Sequence, residues 1–205
     1  MKQSLEYTLV AEGFAEYSFI PVYLKRIASA RGLQVKRSSL DLLKKQPSKS
    51  KVIQEAEDLC LRALRDEQQA FCIVGVDLDG PDHTDEQEKY TMECDNLKKA
   101  LGSAHKRYEQ QIVIYVTIQA IEHWLFYQLH QIKSIDKPVK DSIEKQPQAK
   151  LKKLLYNGRE DRRQMESVAR SIAEKADFDE LAKQSRSFNH FHKQITAFLN
   201  EYNKT

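Results

Sequence analysis

Cysteine is scarce in this 205-residue chain: Cys60, Cys72 and Cys94 are odd in number and show no Cys-x-x-Cys spacing. No disulfide framework is expected. The three are read as reduced, small side chains, two of them inside apolar patterns, in a cytoplasmic protein. Long hydrophobic runs are also missing. Nothing approaches the roughly 20 consecutive apolar residues that a membrane-spanning helix needs, and the opening Met1-Lys2-Gln3-Ser4-Leu5-Glu6 lacks the pattern of a signal peptide. No membrane partner is expected. Three catalytic signatures are absent as well. Without Gly-x-x-x-x-Gly-Lys, Gly-x-Ser-x-Gly or His-Glu-x-x-His, the commonest NTPase, serine-hydrolase and zinc-protease readings fall away. Internal repeats and low-complexity tracts do not occur. The net charge is only +3, so composition permits nucleic acid as a partner without demanding it, and any basic patch must be local.

What the chain does contain is a balance of 40% apolar and 31% charged residues, the composition of a soluble globular protein with enough length for one core. Leu5 to Ala11 is rich in β-formers and predicts a first strand, closed by Glu12-Gly13. From Glu16 to Ala30 the apolar residues recur at helical spacing, and Arg31-Gly32 supplies a stop. Leu33 to Leu40 predicts a short edge strand, and Lys44 to Lys51 a basic loop holding Pro47. A second amphipathic helix follows over Val52 to Leu64.

The chain is organised around the next segment, Phe71-Cys72-Ile73-Val74-Gly75-Val76-Asp77-Leu78-Asp79-Gly80. An apolar run of this kind predicts a strand buried on both faces of a parallel sheet. Its C-terminal end, where open α/β sheets bind ligands, carries two carboxylates. Strand alternation puts Asp77 and Asp79 on the same side, where they repel unless positive charge lies between them. Gly80 to Asp85 is turn chemistry, with Thr84 or Asp85 able to cap a helix running to about Arg107. Gln111 to Ile118 predicts another strand, and a helix beginning at Gln119 or Ala120 carries Glu122 and Trp124. Strand and helix alternate through residues 1–132, which predicts an α/β core with a mainly parallel sheet flanked by helices. Residues 133–205 predict a helical extension packed on that core, with helices near Ala149 to Tyr156 and Asp161 to Lys175. A last helix shows the stripe Phe188, Phe191, Ile195, Phe198, Leu199 and Tyr202.

Parallel strands end on one edge, so Glu12, Asp77, Asp79 and Glu122 are expected to converge there. Hard oxygen donors in this number suit Mg2+ or Mn2+, which keep some waters and engage substrate phosphates. Glu16, four residues beyond Glu12, would share its face if the helix had already begun, and so could hold a second ion. Val10-Ala11-Glu12-Gly13-x-x-Glu16, followed by Val76-Asp77-Leu78-Asp79, resembles the Toprim domain of topoisomerases, primases, OLD-family nucleases and ribosomal-RNA maturases. Ala120-Ile121-Glu122-His123-Trp124-Leu125 and Ser185-Arg186-Ser187-Phe188-x-x-Phe191 look like the stand-alone bacterial DUF4276 and RloB-like groups, often found beside defence or restriction genes. The resemblance implies a metal-dependent nuclease acting on DNA or RNA. Glu12 would be metal ligand or acid/base, Glu16 the second glutamate of the OLD-type pattern, and Asp77 and Asp79 ligands. Glu122 joins the catalytic set from strand geometry and from the closer groups. No match for the lysine used by some OLD-type nucleases is identified. The alternative is a non-catalytic or partner-activated regulatory module working with an ATPase, since OLD-type enzymes unite an ATPase and a Toprim domain in one chain.

His83 follows the acidic loop and could contact a phosphate, while His123 faces away from Glu122 and is expected near the surface beside a buried Trp124. Lys150, Lys152, Lys153, Arg159, Arg162 and Arg163, the densest basic stretch, could reach a nucleic-acid backbone. Lys183 and Arg186 could do the same if the last helix packs near the site.

Overall fold

The computed structural model describes residues 4–41, 47–80, 86–139, 142–143 and 145–203, with only the backbone of residues 86 and 87. Its four strands, β1 (Ser4–Val10), β2 (Gln34–Arg37), β3 (Phe71–Asp77) and β4 (Ile112–Thr117), form one sheet. The order is β2-β1-β3-β4, and every pairing is parallel. This is the expected α/β class. Between the strands run α1 (Glu16–Ser29), α2 (Lys49–Leu61), α3 (Glu86–Ala100) and α4 (Gly102–Tyr108). After β4 come α5 (Ile121–Gln128), α6 (Gln148–Tyr156), α7 (Arg162–Lys175), α8 (Phe178–Gln184) and α9 (Arg186–Tyr202).

Alternation along the strands feeds two separate cores. Tyr7, Leu9, Phe71, Ile73, Val113 and Tyr115 face one side, packed by α1, α5 and the C-terminal helices. Cys72, Val74, Val76, Ile112, Ile114 and Val116 face the other, packed by α2, α3 and α4. Because both faces are covered, β3 and β4 are nearly continuous apolar runs, as parallel strands buried on both faces must be. The C-terminal helices share the first core. Trp124 stacks on Phe191 with ring centroids 5.8 Å apart and meets Phe188 edge-on at 5.1 Å, while Phe178 stands edge-on to Tyr23 at 4.9 Å. Arg26 of α1 ties the layers together by donating to the carbonyls of Ala173 and Ala176 at 2.7 and 2.8 Å, at the negative end of α7.

Several elements differ from expectation for local reasons. The edge strand is only four residues long. The single helix expected to reach Arg107 is two helices. Gly102 takes φ +47, and Glu57 of α2 accepts hydrogen bonds from both the N–H and the hydroxyl of Ser103, at 2.7 and 2.6 Å. That side chain satisfies a free N–H at the start of α4, which a continuous helix would not have offered. Helix α8, capped by Asp177, has no counterpart in the sequence pattern read above. The expected cap at Thr84 or Asp85 and the candidate His83 lie outside the described residues.

Candidate active site

β1 lies between β2 and β3, so the chain leaves it toward α1 and β2 on one side, while β3 and its following helices continue on the other. The crevice at such a point of divergence, beyond the carboxyl ends of the strands, is where α/β sheets accept ligands. Glu12 follows β1, and Asp77 ends β3. Glu12 Oε1 accepts a hydrogen bond from the Asp77 backbone N–H, so the two segments touch directly. Asp77 Oδ1 in turn accepts from the Thr117 hydroxyl, on the residue opposite it in β4.

Glu16, the first residue of α1, is 2% exposed, and Glu122, the second of α5, is also 2% exposed. Gly13 makes room for the former, since a Cβ there would fall on the Glu16 carboxylate. Glu122 Oε1 accepts from the Tyr156 hydroxyl of α6 at 3.0 Å. Four carboxylates therefore gather behind the sheet edge, close enough for the charges of Glu12 and Glu122 to act on both Glu16 and Asp77. Burial, then the charges of Glu16, Glu12 and Glu122, push the Asp77 carboxyl well above its ordinary range. Burial, then Glu122 and Glu12, push Glu16 up to about 8, with Lys152 opposing. Burial also raises Glu12, against the hydrogen bond from the Asp77 N–H. These are the shifts expected of acids gathered in low dielectric where nearby lysines offset only part of the cost of charge.

Asp79 behaves otherwise. The strand stops at Asp77, and Asp79 adopts φ +60, so the alternation expected to align it with Asp77 has already ended. Its N–H donates to the Gln119 carbonyl at 3.0 Å, and Gln119 too is left-handed at φ +59. The Asp79 side chain is 61% exposed and lies 3.6 Å from Lys49 Nζ. The geometry thus gathers Glu12, Glu16, Asp77 and Glu122 and sets Asp79 at the mouth, where its charge still opposes the ionisation of Glu12.

Lys49 is a site residue that the sequence motifs do not mark. It opens α2 directly after the Ser48 cap, and Nζ donates to the Asp77 carbonyl at 2.7 Å while pairing with Glu93 at 2.9 Å. Burial lowers the affinity of this amine for its proton, but Glu93, Asp79 and Glu12 outweigh that and raise its pKa. The sequence pattern places Lys49 in a loop ahead of a helix from Val52, whereas α2 starts at Lys49 itself, where a lysine opposes the macrodipole and calls for an anionic partner. His123 also departs from expectation. It is 1% exposed, with Nδ1 3.2 Å from the Ala120 carbonyl and Nε2 3.0 Å from that of Gln146. Trp124 is buried, as expected, and donates to Ser187 Oγ at 2.8 Å.

The donor set is hard oxygen throughout, which by its chemistry fits Mg2+ or Mn2+. Among the described residues, however, no group of three or more His, Cys, Asp or Glu side chains is arranged to hold a metal ion. Glu12 and Asp77 already have partners in the Asp77 N–H and the Thr117 hydroxyl. Part of the basic stretch stands at the rim: the Arg162 guanidinium lies 4.8 Å from the centroid of Phe14, two residues from Glu12. No curated protein and no solved structure matches the chain. A family model described as Domain of unknown function (DUF4276) matches residues 11–196, which is nearly the whole of the fold described above, and the chain belongs to that family.

Proposed function

We propose that this protein is a Toprim-like, Mg2+- or Mn2+-dependent nuclease that hydrolyses phosphodiester bonds in DNA or RNA. The observation that carries the reading is the gathering of the buried Glu16 and Glu122 with the half-buried Glu12 and Asp77 at the divergence of β1 and β3, where Glu16, Glu12 and Glu122 oppose the ionisation of Asp77, and Glu122 and Glu12 that of Glu16. Such a cluster is stable as anions only beside concentrated positive charge. Glu12, Glu16 and Asp77 would hold the cation, with Asp79 joining them only by turning away from Lys49. A divalent cation held by these residues would supply polarisation of a phosphate and a lowered pKa for an attacking water.

The chain's own residues supply the remaining parts. Glu16, a protonated acid at neutral pH, gives up its proton as positive charge arrives. Glu12 or Glu122 moves a proton during hydrolysis. Lys49 places a fixed ammonium at the mouth, where it can pair with a phosphate oxygen in exchange for Asp79. Lys152 and Arg162, at the rim, favour a polyanionic substrate such as a nucleic-acid backbone. The test is Asp77→Asn, assayed with Mn2+ on single- and double-stranded DNA and RNA. Cleavage is expected to fall by about 100-fold or more, the loss typical of removing a group that stabilises transition-state charge, with the fold intact by circular dichroism. Undiminished cleavage in a preparation free of contaminating nuclease would refute the assignment.

One observation favours a second reading, a regulatory module switched on by an ATPase partner. In that reading the partner brings the acids into ligating positions, in which no three of the described ones stand here. Cleavage by the purified chain alone would remove this alternative.

A further inference from the structure

Near Glu12, Glu16 and Asp77 stands a side chain with no bond to any of them. Tyr115 of β4 is 1% exposed, yet among the described residues its hydroxyl has no hydrogen-bond partner. The packing is nevertheless built around this ring. Tyr115 stands opposite Gly75 in the register of β3 and β4, two pairs before Asp77 opposite Thr117. A Cβ at Gly75 would lie inside the Tyr115 ring, so only glycine lets the ring rest across β3. Trp124 and Phe191 hold the ring from above, with centroids at 5.7 and 5.3 Å. So placed, the hydroxyl lies within the field of the acidic site, where burial and the charges of Glu16 and Asp77 keep its proton on the oxygen. Buried hydroxyls are almost always paired, and one that is not invites a partner from outside the chain.

We propose that Tyr115 is a positioning residue whose O–H is reserved for an oxygen of the ligand that completes the carboxylate cluster, either a water carried in with the divalent cation or a phosphate oxygen. The inference rests on the metal-dependent reading of the site and adds to it a hydrogen-bond donor that the carboxylates cannot supply. Tyr156 provides the contrast. Its hydroxyl is already committed to Glu122 at 3.0 Å.

Thermal unfolding of the whole chain tests the assignment without any activity assay, with Tyr115→Phe, Tyr156→Phe and wild type each measured alone, with Mn2+, and with Mn2+ plus inorganic phosphate. Without additions, Tyr115→Phe is expected to melt at or above the wild-type temperature and Tyr156→Phe below it. Mn2+ is expected to raise the melting temperature of wild type and of Tyr156→Phe. For Tyr115→Phe most of that rise is expected to be lost. A loss already present with Mn2+ alone identifies the acceptor as water on the cation, and a loss seen only in the phosphate increment identifies a phosphate oxygen. An equal rise in Tyr115→Phe and wild type under both conditions overturns the role of Tyr115 while leaving the metal site standing. The absence of any rise in wild type overturns the metal reading, and this proposal with it.

Discussion

Glu16 shows how one side chain couples the site to the stability of the fold. Its carboxyl ionises at an ordinary 4.5 in the unfolded chain and at about 8 when folded, because burial and the neighbouring Glu122 resist the charge. Between those values the folded state binds the extra proton. Its contribution to stability is therefore complete below pH 4.5, declines as pH rises, and is gone above about 8. Glu16→Gln removes this dependence. Urea unfolding at about pH 5 and about pH 8 is expected to show a smaller loss of stability in the variant, with a gain at the higher pH on the order of 3 kcal/mol, since a tenfold change in an acid's ionisation constant is worth about 1.4 kcal/mol. Equal pH dependence in the variant and wild type would show that Glu16 is not the buried acid. The candidate acids themselves were legible in the sequence, because a carboxylate after an apolar strand stands out against its neighbours. Lys49 was harder to see, since its partners Asp77, Asp79 and Glu93 are 28 to 44 positions away in the chain.

Among the elements, β4 carries the clearest structural demand. It ends the sheet, and its free edge would expose unpaired backbone groups, a template for unwanted strand pairing. Gln194 of α9 closes part of that edge. Its side-chain amide accepts from the Ile114 N–H at 3.2 Å and donates to the Ile114 carbonyl at 2.7 Å, as a neighbouring strand would. Gln194→Ala is expected to lower stability by about 1–3 kcal/mol, because it strands a partly buried donor and acceptor together. It should also increase aggregation during thermal melts followed by light scattering. A variant as stable as wild type, with no added scattering, would show that water serves this edge equally well. Periodicity located α9 and its apolar stripe. It gave no sign that a polar residue on the flank of that helix would act as a strand, because the partner lies 80 positions earlier.

For the whole molecule, the first core is the deciding feature. Phe19 and Tyr23 of α1, Trp124 of α5, and Phe178, Phe188 and Phe191 of α8 and α9 form one aromatic cluster. Residues on both sides of position 132 therefore bury each other's surface. A chain ending at 132 would leave Trp124 and Phe19 open to water, and it is expected to be insoluble or to lack a cooperative unfolding transition. The full chain is expected to unfold in a single step, with the fluorescence of its one tryptophan and the far-ultraviolet circular dichroism sharing a midpoint. A soluble, cooperatively folding 1–132 fragment would contradict this. By itself the sequence determined the α/β class, the parallel sheet and the strand ends that bear the acids, since these follow from short-range periodicity and from the burial of central strands on both faces. Only the tertiary structure decided which carboxylates meet. One left-handed residue set Asp79 at the mouth beside Lys49, where its charge still acts on Glu12, while Lys49 came to the site through packing between segments far apart in the chain. Local pattern carries no record of such distances.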